Sequence, residues 1–223
     1  MNKKIKVIGA GGIGSILLSI LSRYLNYLED TYVLTIIDGD TYEIRNKERQ
    51  IFHQIGNKAE VLAAEIKADF PNLEVRPRGK YVTPDNLLIL VDEGDIILLC
   101  VDNHATRKAV SDRCRELNDV VLISGGNDLT DGNIQVFIRE NGKDLTLPLD
   151  NDYHREIREP SDRRPDEIGC DEQVVSEPQL LFMNNTIAAM MLNAFYAYSQ
   201  GKLQYNEAYT DIITGNTRAL ERK

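Results

Sequence analysis

Short unbroken apolar runs alternate along this chain with longer stretches of helical spacing. Residues 5–10 form an apolar run closed by glycines, the pattern of a buried strand. Residues 13–28 follow with Ile13, Ile16, Leu17, Ile20, Leu21, Tyr24, Leu25 and Leu28 on one face, a wide helical stripe. The same alternation continues with a strand at 33–38, a helix at 58–70 closed by Pro71, a weaker strand at 73–77 and a short helix at 84–91. Residues 95–102, Asp-Ile-Ile-Leu-Leu-Cys-Val-Asp, are the most hydrophobic stretch and read as a parallel strand covered on both faces. A helix at 105–117 and a strand at 120–124 complete the series. Strand and helix in turn predict an α/β fold: an open, doubly wound, mostly parallel Rossmann-like sheet.

The pattern changes after Gly126. Residues 133–139 alternate, Ile134, Val136 and Ile138 against Gln135, Phe137 and Arg139, as a half-exposed antiparallel strand should. Residues 140–177 are polar, charged and rich in proline, a long loop of the kind that is usually functional or mobile. Residues 178–198 read as a helix whose apolar positions include Met183, Ile187, Met191 and Phe195. Residues 205–220 read as a hairpin turning at Thr214-Gly215-Asn216. With no repeat and no linker, residues 1–223 are expected to form one domain, with a core over 1–126 and antiparallel strands, loop, helix and hairpin over 127–223.

Composition narrows the partners. A net charge of −9, with 42% hydrophobic and 27% charged residues, argues for an ordinary globular protein without a broad nucleic-acid or anionic-membrane surface. No apolar run reaches the ~18 residues of a spanning helix, and the start lacks the form of a signal peptide, so a cytoplasmic protein is expected. Cys100, Cys114 and Cys170 include no C-x-x-C pair, so neither a disulfide framework nor a zinc site is expected. His53, His104 and His154 have no metal-ligand spacing.

The candidate chemistry starts in the first turn. Gly9-Ala10-Gly11-Gly12-Ile13-Gly14 contains G-x-G-x-x-G directly after a strand and before a helix. Gly9, Gly11, Gly12 and Gly14 let backbone approach a phosphate, which then meets the unpaired N–H groups and positive dipole end of the helix. Asp38 ends the second strand, where an acid commonly holds a ribose hydroxyl. The segment after it carries Asn46, Arg49, Gln50 and Lys58. A triphosphate needs such counter-charges and donors; a dehydrogenase does not. Asp102 stands at the carboxyl end of the most buried strand, where it can hold Mg²⁺ or cap the following helix. Asn103 and Arg107 are read either as structural or as ligand contacts.

Taken together, Gly9-x-Gly11-x-x-Gly14, Asp38-x-Asp40, Asn46-x-x-Arg49-Gln50, Lys58 and Asp102-Asn103-x-x-x-Arg107 resemble the ThiF family, the superfamily of ubiquitin-activating enzymes and their bacterial relatives in sulfur transfer. The resemblance covers residues 5 to about 140. The later Pro178-Gln179-Leu180, Asn184-Asn185 and Thr214-Gly215-Asn216 look like standalone ThiF-like proteins of bacterial plasmids and mobile elements. The resemblance implies ATP and Mg²⁺, a small ubiquitin-like or sulfur-carrier-like partner protein, and a homodimer. Its chemistry is attack of the partner's C-terminal carboxylate on the α-phosphate, giving an acyl-adenylate and pyrophosphate. It further implies that Asp40 holds the ribose, that Asn46, Arg49, Gln50 and Lys58 hold phosphates, and that Asp102 binds Mg²⁺.

The chain also departs from that family. The first strand begins at Ile5, leaving no upstream arginine to reach a partner subunit's ATP, with Arg23 or Arg45 as substitutes. The paired C-x-x-C zinc site is missing. Cys170 lies where relatives that transfer the acyl group to sulfur place a cysteine, but Asp166, Glu167, Asp171 and Glu172 surround it, and like charge raises a thiol's pKa. A NAD-dependent oxidoreductase and a non-catalytic nucleotide- or partner-binding module are the competing readings.

Overall fold

The apolar runs become strands of one sheet, and the striped segments become the helices that cover it. The computed structural model describes residues 3–28, 30–48, 50, 52–167 and 179–223. The first half comprises β1 (Lys3–Ile8), α1 (Gly12–Asn26), β2 (Tyr32–Ile37), β3 (Thr41–Tyr42), a 3-10 turn (Ile44–Glu48), β4 (Gly56–Asn57), α2 (Lys58–Asp69), β5 (Glu74–Arg78), α3 (Pro84–Leu90) and β6 (Asp95–Leu99). It is followed by α4 (His104–Glu116), β7 (Val120–Asn127), β8 (Asp131–Glu140), β9 (Lys143–Asp144), α5 (Arg155–Arg158), a 3-10 turn (Pro165–Glu167), α6 (Leu181–Ser199), β10 (Glu207–Asp211) and β11 (Asn216–Leu220).

The main sheet runs β11-β10-β8-β7-β6-β1-β2-β5, with β9 added against β8. Pairing is parallel from β5 through β7 and antiparallel from β7 to β11. The chain steps outward from β1 to β2 and β5, then crosses back to lay β6 on the other side of β1. That reversal is a topological switch point, and the crevice beyond the strands' carboxyl ends is where such sheets take their ligands.

Because side chains alternate along each strand, the sheet builds two cores. On one face Val7, Ile36, Leu98 and Ile123 pack under Leu17 of α1, Leu62 of α2 and Ile187 of α6. On the other Ile8, Ile37, Ile97, Leu99 and Leu122 pack under Leu90 of α3, Val110 of α4 and Ile157 of α5. The apolar face of α6 is thus used to cover the sheet.

Three details depart from the pattern reading. The strand expected at 120–124 continues to Asn127. β8 is buried on both faces through Ile134, Gln135, Val136, Phe137 and Ile138 rather than half exposed. The segment after it folds back over the sheet, where Leu149 and Ile157 cover Phe137 and the Leu149 carbonyl accepts from Gln135 Nε2 at 3.1 Å. The stretch read as one long loop therefore holds β9, α5 and a 3-10 turn in its described part. The C-terminal hairpin forms as expected, with Gly215 at φ +70° in its turn.

Candidate functional site

The glycine loop joins β1 to α1 at the switch point. Gly9 has φ +91°, and a Cβ there would come within 2.8 Å of the Cys100 carbonyl group at the end of β6. Only glycine meets both demands. Gly9 N–H donates to Ile37 O at 2.9 Å, and Cys100 N–H donates to Ile8 O at 2.7 Å, so the loop is held by strands on both sides. A Cβ at Gly14 would run into Gly9 O, which explains how α1 can start so close to the loop. The first helical bond runs from Ser15 N–H to Gly11 O at 3.0 Å, leaving the preceding amides for an anion.

Asp38 fixes this loop. Its carboxylate accepts from Ala10 N–H at 2.6 Å and from Asp40 N–H at 2.8 Å, and burial pushes its carboxyl above the ordinary range. The Tyr42 hydroxyl donates to Ala10 O at 3.0 Å, and its ring stacks on Phe52 at 4.3 Å. Asp38 thus shapes the loop, while Asp40 faces outward.

The Asp40 side chain is 48% exposed and accepts from Lys58 Nζ at 2.9 Å and from the Tyr81 hydroxyl. Burial pulls its carboxyl upward, but the Lys58 charge and these two hydrogen bonds outweigh it and hold it below the usual carboxylate range. Asn57 fastens the pair: Nδ2 donates to Asp38 O at 3.0 Å and Asp40 O at 3.1 Å, while Oδ1 caps α2 by accepting from Glu60 N–H at 3.1 Å. Tyr81 and Asn57 were absent from the sequence reading. Tyr81 lies over Gly39, where a Cβ would sit 2.6 Å from the ring. The available signals were an aromatic in the loop after β5 and an Asn directly before a helix.

The other candidates divide. Gln50 is buried, its Oε1 has no partner among the described residues, and its Nε2 lies 3.8 Å from where a Gly11 Cβ would stand. Asn46 Oδ1 accepts from Glu43 N–H at 2.8 Å, bracing the 3-10 turn. Arg49 and Cys170 lie outside the described residues. Asp102 is exposed beyond β6 and does not cap the helix. That role falls to Asn103, whose Oδ1 accepts from Thr106 N–H at 2.8 Å. Asp162 adds to it, accepting from His104 N–H at 2.6 Å and Ala105 N–H at 2.9 Å. The α4 N-terminus is thereby filled and the α1 N-terminus is left for a ligand. Arg107 is buried with its guanidinium on Val101 O, Gly125 O and Ser124 Oγ, tying the ends of β6 and β7 together. Arg23 lies over the Phe70 ring at 5.4 Å. Burial raises both described thiols, that of Cys100 to about 12, so neither is a nucleophile.

This donor set fits a nucleotide. A Cβ at Gly9, Gly12 or Gly14 would fill the glycine cradle, and buried carboxamide atoms beside it lack partners among the described residues. It also fits Mg²⁺ held through a phosphate, since that ion takes one or two carboxylates plus phosphate oxygens and Asp102 stands exposed at the crevice. Among the described residues no group of three or more His, Cys, Asp or Glu could hold a metal by itself. No helix among them is long and apolar enough to cross a membrane.

The chain is similar to known proteins in sequence and in fold. The ThiF family profile matches residues 1–221. The adenylyltransferase and sulfurtransferase UBA4 of Yarrowia lipolytica is 31% identical over 143 residues, 61% of this chain and 34% of that protein. The SAMP-activating enzyme E1 of Haloferax volcanii is 30% identical over 131 residues, 56% and 46% of the two chains. The molybdopterin-synthase adenylyltransferase of Escherichia coli is 28% identical over 148 residues, 64% of this chain and 56% of that protein. The match therefore spans between a third and somewhat over half of these relatives. E. coli MccB, crystallised with ATP, superimposes with a TM-score of 0.74 at 17% identity, covering 99% of this chain and 64% of that one. PaaA gives 0.69 at 17% identity, covering 98% and 64%.

Proposed function

The chain belongs to the ThiF family, and on that premise we propose that it is an ATP-dependent adenylyltransferase acting on the C-terminal carboxylate of a small ubiquitin-like or sulfur-carrier-like protein. The observation that carries this reading is the open glycine loop at the switch point with the Asp40–Lys58 pair beside it. The names of the relatives as adenylyltransferases, and the MccB crystals with ATP and with MccA, support it.

In this reading Gly9, Gly11, Gly12 and Gly14 seat the phosphates on the α1 amides. Asp40 takes the ribose hydroxyls, and Lys58 turns from Asp40 toward the phosphate chain. Asn46, Arg49 and Gln50 complete the phosphate contacts, and Asn103 offers its Nδ2, its Oδ1 being spent on the cap. Asp102 would hold Mg²⁺, which when bound neutralises phosphate charge. An oxygen of the incoming carboxylate forms a bond to the α-phosphorus as the bond to the bridging oxygen breaks, and pyrophosphate leaves with the electron pair. The carboxylate is already an anion, so no proton has to move. The contribution of the chain is positioning and electrostatics. Cys100 and Cys114 are closed off by burial, which leaves Cys170 as the candidate acyl acceptor within this chain.

We also infer a cytoplasmic homodimer. Exposed Ile20 and Tyr27 near α1 and Tyr196 of α6 support an apolar contact there, and light scattering tests it.

The deciding experiment is ATP–pyrophosphate exchange in the presence of small ubiquitin-like proteins encoded beside this gene. Exchange should appear with one of them and vanish in Asp102→Ala with the fold intact. Binding of ATP without exchange would favour the non-catalytic module. A thermal shift with NAD and none with ATP would favour the oxidoreductase.

A further inference from the structure

Gly12 occupies one of the free positions of G-x-G-x-x-G, and its φ is not positive, so neither the turn nor the backbone demands glycine there. Asn184 of α6 does. A Cβ at Gly12 would overlap Asn184 Nδ2 and stand 2.9 Å from its Cγ. Asn184 is 0% exposed, and neither Nδ2 nor Oδ1 has a partner among the described residues. A buried amide left in that state is rare and destabilising. The flanking residues Met183, Ile187 and Ala188 are all buried and apolar, so an apolar side chain at 184 would pack there without that penalty.

Gln50 lies beside Gly11, its Oε1 also buried and without a partner among the described residues. Two carboxamides from distant parts of the chain thus lie beside Gly11 and Gly12, the two residues at which α1 opens. From this we propose that Asn184 is a phosphate-binding residue, its Nδ2 donating to a phosphate oxygen of a nucleotide seated on the α1 N-terminus. The inference rests on the nucleotide reading of the glycine loop. A neutral donor suits the place, because it stabilises an anion without leaving a buried charge when the site is free. Its Oδ1 then accepts from one of the ordered waters that accompany a phosphate. Gln179, half buried, has its Oε1 2.9 Å from the same Gly12 Cβ position and must move aside as the phosphate enters.

The test compares the whole protein with Asn184→Leu, a near-isosteric change, and with Asn184→Ala, titrating each with ATP and with adenosine and melting each without ligand. ATP affinity should fall about tenfold or more, the loss expected for one hydrogen bond to a charged group. Adenosine affinity should stay unchanged, and ligand-free Asn184→Leu should melt no lower than the unaltered chain. Equal losses for ATP and adenosine would mean that Asn184 only holds the fold, and unchanged ATP affinity would mean that it touches no phosphate; either overturns the inference alone. Failure of the unaltered protein to bind ATP would overturn the nucleotide reading with it.

Discussion

Arg107 donates from one guanidinium to Val101 O at 2.6 Å, Gly125 O at 2.8 Å and Ser124 Oγ at 2.8 Å, all at the carboxyl ends of β6 and β7. Removing it leaves two carbonyls and a hydroxyl unpaired in the interior. Arg107→Ala should destabilise the protein by about 3 kcal/mol or more, seen as a lower urea midpoint. Arg107→Lys should not restore it, because an ammonium cannot span the three acceptors. The sequence could not separate this role from ligand contact, since backbone carbonyls carry no residue code. The place of Gly9 was legible because strand–loop–helix context restricts what a glycine there can do; Asp38 reads in the sequence as a ribose-holding acid, whereas its carboxylate is taken up by the Ala10 and Asp40 amides. Tyr81 was not legible, because it meets Asp40 from a segment far along the chain, and Asn184 stands out in the sequence only as part of a resemblance, not as the neighbour of Gly12.

Among the elements, β1 carries a buried ion pair between its buried apolar residues Ile5 and Val7. Lys6 Nζ lies 2.6 Å from Asp95 Oδ2 and donates to Leu90 O at 2.8 Å, so β1, α3 and β6 meet at one charge. Burial pushes the Asp95 carboxyl upward even against the Lys6 partner. Asp95→Ala should cost about 3–5 kcal/mol by leaving the ammonium unpaired, whereas Lys6→Met with Asp95→Leu should be near neutral; chemical denaturation distinguishes the two. The strand itself was plain from its apolar run. The double burial of β8 was not, because its alternating pattern describes a strand with one solvated face, and the cover on Phe137 comes from a proline-rich segment with no periodicity of its own. The two-residue strands β3 and β4 are too short to leave any period.

Across the whole molecule, a buried cluster ties the segment after β9 to the C-terminal hairpin. His154 meets Glu156 at 2.8 Å and Glu207 at 3.2 Å, and Glu207 also accepts from Tyr209 at 3.0 Å and Arg222 at 2.6 Å. Burial opposes the charge on both principal members. Yet the two carboxylates raise His154 above its usual 6.5, and the His154, Arg222 and Tyr209 contacts lower Glu207 from 4.5 to about 2. The raised histidine stabilises fully below pH 6.5, and this is lost as pH rises through its folded value. The lowered carboxyl stabilises above pH 4.5, and this is lost as pH falls toward 2. The melting temperature of His154→Gln relative to the unaltered chain should therefore recover on the alkaline side, and that of Glu207→Gln on the acid side.

β1 sits between a neighbour close in sequence and one far away, pairing Lys4 with Val33 on one side and with Asp95 on the other. Closing the second pairing means ordering some ninety intervening residues first, and contacts of that span slow folding. During synthesis residues 5–10 leave the ribosome long before Cys100, whose carbonyl roofs Gly9 and whose N–H holds Ile8 O. The glycine loop between β1 and α1 thus takes its shape only after some ninety further residues have been made.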